Sequence, residues 1–371
     1  MWGCGAKSTS LDDFAEVLYA PRHASGFEIR AADDSQSSLL RIFNPWQGAS
    51  SFEQQIFIAR QGESAPAGFT GMVVKAPVRR VVCMSSSHVA MMDAVGCVKR
   101  IVGVSGVDYI VNDHVATHRL CGEIRDVGYD ANINFELIAS MKSDVVLIYG
   151  VNGENRQLTA KFDEIGVPYI YIGDYIEESP LGKAEWLRVV GELCDCAERA
   201  DSTFTAVEER YISLKNSISD YLTECDSRPE ILLNTPYRDT WFLPSARSYM
   251  VQLIEDAGGE TYTVKSESTA SQPIDIEQAY LLASQADLWL NVGACTSLSD
   301  LRQQNPRFGQ MPCVVGGKVY NNNARRTTIG GSDFWESGIV NPDKILRDLI
   351  TIIHPESGVT DGELYYYHQL K

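Results

Sequence analysis

Residues 132 to 150 read "NINFELIASMKSDVVLIYG", and residues 272 to 293 read "QPIDIEQAYLLASQADLWLNVG". Both run apolar, polar, apolar, Glu, then an apolar helical stretch, then Asp, then an unbroken apolar run. Each reads as a short helix feeding a buried strand. The glutamates are Glu136 and Glu277, each in the first helical turn after a candidate cap, Asn134 or Asp275. A carboxylate there is stabilised by the helix dipole by about 0.3–1 kcal/mol whatever its function. The same unit, built twice, is the first sign of a two-lobed chain.

The pattern extends outward from both copies. Ahead of the first lie "RRVVCM" (a strand), "SSSHVAMMDAV" (a turn into a helix) and "RIVGVSGV" (a strand); after it lie "NRQLTAKFDEIG" and "VPYIYIG". Around the second lie "EILLNT", "DTWFLPSARSYMVQLIEDAGG", "VVGGKVYNNN" and "NPDKILRDLITIIHP". Strands alternating with helices imply βαβ units and a parallel sheet covered on both faces. Between the lobes, Ala200, Phe204, Val207, Tyr211, Leu214, Ile218 and Tyr221 recur at spacings of four and three, without Gly or Pro. That is one helix stripe, roughly 40 Å long at about 1.5 Å per residue; a coiled-coil dimer is the rival reading of it. Residues 5 to 76 instead alternate apolar and polar with turn signals, which predicts short antiparallel strands. The expected fold class is α/β: two Rossmann-like lobes with parallel-type sheets joined by one long helix, plus a β-rich N-terminal extension. The expected divisions are 1–76 (tether and extension), 77–196 (first lobe), 197–227 (connecting helix) and 228–371 (second lobe).

Bulk properties narrow the function. The chain has 371 residues, 44% hydrophobic and 22% charged, with a net charge of −17. An acidic surface repels phosphate backbones, so no nucleic-acid partner is expected. No apolar run reaches membrane-span length. The sequence has no G-x-x-x-x-G-K-[ST], G-x-G-x-x-G, H-E-x-x-H or G-x-S-x-G signature, so no enzyme is expected. "MWGCGAKSTS" places Cys4 before a small polar tether, as at the end of a lipoprotein signal, against the blander reading of a chance cysteine. The nine cysteines are too few and scattered for a disulfide scaffold. Cys194-Asp195-Cys196 falls on a helical pattern and reads as buried or free thiols rather than a metal site. His114, His118 and Cys121, at spacings of four and three, are a candidate metal constellation lacking a fourth ligand; no metal site of the protein's own is expected.

The pieces from "PVRRVVCM" through "INFELIASM", "PIDIEQAYLLASQADLWL" and "SDFWESGIVNPDKILRDLI", in that order over residues 77 to about 353, resemble the substrate-binding proteins of ABC importers for ferric siderophores, haem and cobalamin. The enlarged N-terminus resembles Bacteroidetes-type versions. The resemblance implies a cleft between the lobes, a connecting helix that permits only small closure, and no cofactor beyond the iron or cobalt carried by the ligand. It implies a periplasmic, lipid-anchored monomer touching a membrane only through the lipid on Cys4. Its partners would be a small metal chelate and the transmembrane permease subunits, with Glu136 and Glu277 each docking on one subunit. A ferric siderophore is the first expectation, then cobalamin, then haem. A metal-chelate-processing enzyme on a similar scaffold is the reading from a different class.

Ligands of open parallel sheets sit at the carboxyl ends of the strands. In lobe one that points to Ser86 and His88 after "RVVCM", to Tyr149 and Asn152 after "VVLI", and to Tyr129. In lobe two it points to Tyr237, Arg238, Trp241, Phe242, Arg325, Arg326, Phe334 and Trp335, with Trp241 and Trp335 expected in loops. Aromatics suit a broad chelate and arginines suit carboxylate or catecholate oxygens. Core packing and a solvated face are the ordinary alternatives for the two residue types.

Overall fold

The computed structural model describes residues 10–151, 153–225, 228–238, 240–266 and 268–371. The chain forms two compact units. The first is the chain up to Val107 with Thr117–Ile176 and Glu185–Ser202; the second is Asp108–Ala116, Glu177–Ala184 and Thr203–Lys371. Two short pieces of the expected first lobe therefore pack with the second unit, and the N-terminal extension shares a unit with the first parallel sheet.

The extension is a five-stranded sheet in sequential order: β1 (Glu16–Tyr19), β2 (Phe27–Ala31), β3 (Ser38–Phe43), β4 (Glu53–Ala59) and β5 (Met72–Lys75). The first three pairings are antiparallel, as the alternating pattern predicts. The last pairing, β4 with β5, is parallel instead, because residues 60–71 carry the chain back across the sheet before it pairs. Leu40, Ile42, Ile56 and Ile58 are buried, and so are Leu39, Phe57 and Ala59, so the middle of this sheet is covered on both faces.

The sheet of lobe one is parallel throughout, in the order β10 (Tyr169–Tyr171), β9 (Val145–Ile148), β6 (Val81–Cys83), β7 (Ile101–Val104), β8 (Arg125–Asp126). The order reverses between β6 and β9. In chain order the helices of this stretch are α1 (Ser86–Ala94), α2 (Asp113–Leu120), α3 (Phe135–Ser140), α4 (Arg156–Ile165), α5 (Pro180–Glu185) and α6 (Leu187–Leu193), of which the first half of α2 and nearly all of α5 belong to the second unit. Every residue of β6 and β9 is buried, which is why these strands read as continuous apolar runs.

The uninterrupted helix α7 runs Ala197–Glu224. Ala200, Phe204, Val207, Tyr211 and Ile218 of the expected stripe are buried, and Leu214 and Tyr221 pack against a core of the second unit. Cys194 and Cys196 are not within a helix: Asp195, at φ 56°, separates α6 from α7. A non-glycine residue in the left-handed region ends a helix, which the apolar pattern could not reveal.

The second unit holds the strands β11 (Glu230–Leu233), β12 (Trp241–Leu243), β13 (Glu260–Thr261), β14 (Gln272–Ile274), β15 (Leu288–Leu290), β16 (Val319–Asn321) and β17 (His368–Gln369), with helices α8 (Tyr249–Asp256) and α9 (Ile276–Ala283). Its main sheet runs β13-β11-β15-β16-β17, parallel except for the terminal β17. Ile231, Leu233, Leu288 and Leu290 enter one core, while Leu232 and Trp289 enter another. Alternate residues thus bury both faces. The repeated unit of the sequence is α3 with β9 in one unit and α9 with β15 in the other.

Candidate functional site at the strand ends

In lobe one a cavity of about 290 Å³ opens beyond the carboxyl ends of β6, β7 and β9, where the strand order reverses. Tyr129, Tyr149, Met84 and Ser105 line it. Tyr129 is 58% exposed and Tyr149 is half-buried. No described lining residue carries a charge at neutral pH. Gly150 lines it as well, and a side chain there would meet Trp46 of the extension, whose Cβ lies 2.8 Å from the position a Cβ would take.

Two expected residues do not reach this cavity wall. Ser86 is the half-buried first residue of α1, after Ser85 has capped the helix by accepting from the Ser87 amide. His88 is fully buried on the inner face of α1, and neither ring nitrogen makes a hydrogen bond of ordinary geometry with a described residue. Burial, partly offset by the Leu147 carbonyl, pushes its imidazole down to about 3, so it is neutral. Helix periodicity turns His88 inward; a reading by position after the strand could not see that.

In lobe two a cavity of about 380 Å³ lies beyond the carboxyl ends of β11, β15 and β16. Asn234, Asn291, Asn322 and Asn323, with Arg326 and Trp335, are among the residues that line it. Asn234 and Asn291 sit at φ 67° and 61°, the left-handed region that Asn tolerates better than most residues. Most of the amides are engaged. The Asn291 carbonyl oxygen accepts from the Tyr367 hydroxyl at 2.9 Å, and the Asn323 amide donates to the Cys295 carbonyl at 3.1 Å. The Asn322 side-chain nitrogen is buried and has no partner among the described residues. Arg326 is exposed and forms no ion pair with a described residue, and Trp335 is 48% exposed. The arrangement offers one cation, one aromatic face and an unspent amide donor, which suits an anionic, oxygen-rich ligand.

The structure corrects three lobe-two expectations. Trp241 is in β12, not a loop, and is 0% exposed. Its indole donates to the Leu233 carbonyl at 3.0 Å and its ring lies 5.6 Å from that of Trp289. In the β12–β14 ribbon Trp241 and Leu243 face in and Phe242 faces out. Phe334 is also core, edge-on to Tyr366 and Tyr367, while its neighbour Trp335 faces outward. Arg325 is exposed but committed: its guanidinium pairs with buried Asp333 at 2.7 Å and lies over the Tyr365 ring. The Asp333 pairing holds its pKa above the usual value. A buried carboxylate needs such a partner. Tyr237, 66% exposed, with Arg238 stacked on it, and Phe242 are at the surface outside the cavity wall.

Sequence reasoning missed the asparagines. Their signal was present, since "EILLN", "DLWLN" and "VYNN" each end an apolar run in Asn. Cys4 and Asn152 lie outside the described residues. The described residues contain no group of three or more His, Cys, Asp or Glu placed to hold a metal ion, so His114, His118 and Cys121 do not converge on one. No described helix is long and apolar enough to cross a membrane.

Glu136 and Glu277 occupy matching positions and are exposed. Asn134 accepts from the Leu137 amide at 2.9 Å; Asp275 accepts from the Glu277 amide at 2.9 Å. The Glu136 carboxylate makes no hydrogen bond or ion pair with a described residue. Glu277 is held by Arg307 through both guanidinium nitrogens, at 3.1 and 3.3 Å, which lowers its pKa.

Each α/β unit carries a cavity at the carboxyl ends of its parallel strands, the place where open parallel sheets bind ligands. The profile of the periplasmic binding protein family matches residues 81–325, and the chain belongs to that family. Two uncharacterized lipoproteins of Methanocaldococcus jannaschii are similar: one is 27% identical, covering 77% of this chain and 67% of its own, and the other 23% identical, covering 87% and 82%. A periplasmic haem-binding protein from Pseudomonas aeruginosa superposes with a TM-score of 0.60 at 15% identity, over 79% of this chain and 98% of that one. A siderophore-binding protein from Vibrio cholerae, solved with Fe3+-Desferal, superposes at 0.54 and 18% identity, over 74% and 99%. These likenesses show the fold.

Proposed function

We propose that this chain is the substrate-binding component of an ABC importer, capturing a metal chelate and delivering it to a permease. A ferric siderophore is the favoured ligand, ahead of cobalamin and haem. The observation that carries this choice is the lobe-two cavity, where Arg326, without an ion-pair partner among the described residues, exposed Trp335 and the Asn322 amide, without a hydrogen-bond partner among them, lie together. Hydroxamate, catecholate and carboxylate oxygens need a cation and donors, and a chelate's organic shell needs an aromatic face. Similarity to the periplasmic haem-binding protein and to the siderophore-binding protein solved with Fe3+-Desferal supports the same class. In lobe one, Tyr129 and Tyr149 line the uncharged cavity and are the further candidate ligand contacts. Glu136 and Glu277 serve as docking points for two permease subunits. Cys4 carries the lipid that holds a periplasmic monomer to the membrane, a reading supported by the lipoprotein relatives.

The test is tryptophan-fluorescence quenching against a ferric siderophore panel, cyanocobalamin and hemin, repeated with Arg326→Ala. Saturable binding of a ferric siderophore, weakened by about 1.5–3 kcal/mol in the variant, is expected. Failure of the whole panel to bind removes the reading. Recovery of a chemically altered ligand would point instead to a chelate-processing enzyme.

A further inference from the structure

The eight cysteines among the described residues are free thiols, and three of them meet in lobe one, away from the strand-end cavity. Cys97 lies in the turn after α1, its amide donating to the Met92 carbonyl at 2.7 Å. Cys194 caps α6 and Cys196 immediately precedes α7. The Sγ atoms of Cys97 and Cys196 are 3.8 Å apart, and Cys194 Sγ lies 3.9 Å from Met92 Sδ. The turn carrying Cys194 and Cys196 is clamped on two sides. Arg100 donates to the Cys194 and Val78 carbonyls, both at 2.9 Å, and Arg60 pairs with Asp195 at 3.0 Å and Glu192 at 2.8 Å. Cys97 and Cys194 are buried, whereas Cys196 is half-buried. Of these three residues, Cys196 is the most exposed.

We propose that this cluster is a thiol–disulfide exchange site in which Cys196 attacks a disulfide-bearing oxidant and Cys97 closes a Cys97–Cys196 disulfide. The Cys196 thiolate forms a mixed disulfide with one sulfur of the oxidant and expels the other as a thiolate. Cys97 then loses its proton and displaces the second oxidant sulfur. Two protein thiols are oxidised, one external disulfide is reduced to two thiols, and two electrons leave the protein. An attacking thiol with a second thiol 3.8 Å away, close enough to resolve the mixed disulfide, is the arrangement exchange uses. The hydrogen bond from Cys194, together with Cys97, Arg100 and Arg199 and against burial, brings the Cys196 thiol down to about 6, while burial and the Cys196 charge push Cys97 up. The bond would join the turn after α1 to the start of α7. Closing so long a loop constrains the unfolded chain strongly.

The full-length chain, equilibrated in glutathione buffers of rising oxidised fraction, acid-quenched, alkylated and mapped by peptide mass, tests this. Expected are loss of two alkylatable thiols and a Cys97–Cys196 linked peptide, reversed by reduced glutathione, with a melting temperature several degrees higher in the oxidised form. In Cys97→Ser, glutathione should be trapped on Cys196 at least tenfold faster than on exposed Cys121. Full alkylation at the most oxidising ratio, a Cys194–Cys196 link, or faster reaction at Cys121 would each overturn the proposal. The wild-type peptide map decides the question even if the variant misfolds.

Discussion

The two strand-end cavities rest on the same helix–strand step and differ in chemistry. Lobe one presents tyrosines and no charge; lobe two presents Arg326, Trp335 and four asparagines. Each unit also fastens a terminal segment with one buried carboxylate. Glu185 accepts from the amides of Arg22, His23 and Ala24 and from the Tyr19 hydroxyl, holding the N-terminal extension. Asp348 accepts from the amides of Tyr365, Tyr366 and Tyr367, holding the C-terminal tail. The extension has a further use. Gln54 bonds both the Tyr169 carbonyl and the Tyr171 amide, satisfying the open edge of β10, which would otherwise invite pairing with another chain. The lesson is that the repeated backbone sets where a ligand can sit, and the residues just past each strand set what it is.

The largest expected effect separates buried Trp241 from exposed Trp335. Trp241→Ala should cost about 3–5 kcal/mol of stability, as a buried aromatic removed from a packed core; urea unfolding checks it. An unchanged melting curve would contradict the inward placement of Trp241.

Next come the carboxylate clasps. Glu185→Ala and Asp348→Ala should each cost about 3 kcal/mol, because several buried donors lose their acceptor together. Hydrogen exchange should localise the loss to the N-terminal extension in one variant and the C-terminal tail in the other. Loss spread equally over both units would break the comparison.

His88 distinguishes lobe one by pH. Its folded pKa of about 3 lies below the unfolded value, so its contribution is present above about pH 6.5 and is lost as pH falls towards 3. Between pH 6.5 and 5, His88→Leu should flatten the fall in stability by up to about 1.4 kcal/mol per pH unit. A slope unchanged by the substitution would mean the ring is protonated in the folded chain.

Trp335→Ala should reduce chelate affinity by about 1–2 kcal/mol, roughly tenfold, with little change in stability. Tyr149→Phe, which keeps the ring and removes a hydroxyl from the uncharged cavity, should change it less. The reverse order would move the dominant contact to lobe one.

The smallest stability effect is expected at the repeated glutamates. Glu136→Lys and Glu277→Lys should leave melting and ligand affinity nearly unchanged, yet abolish ligand-dependent ATPase of a reconstituted transporter, since rim charges set register more than affinity. Arg307→Ala should release Glu277 without impairing stimulation. Full stimulation by the double glutamate variant would leave both residues as helix-start carboxylates.

The sequence by itself determined the two α/β units, the duplicated step, the uninterrupted 197–224 helix and the β-rich start. These follow from local periodicity, which depends on which residues must face a core and needs no knowledge of what they meet. It also marked Tyr129, Tyr149, Arg326 and Trp335, because strand ends are legible from the same pattern. Only the tertiary structure decided that Trp241, Phe334 and His88 turn inward, that Arg325 is committed to Asp333, and that asparagines from three separated strands meet. Loop residues and helix faces are assigned by partners far away in the chain, such as Trp289 for Trp241 and Tyr367 for Phe334. The three thiols show the same limit. Cys97 is 99 positions from Cys196, and no local period connects them; the fold brings their sulfurs within 3.8 Å.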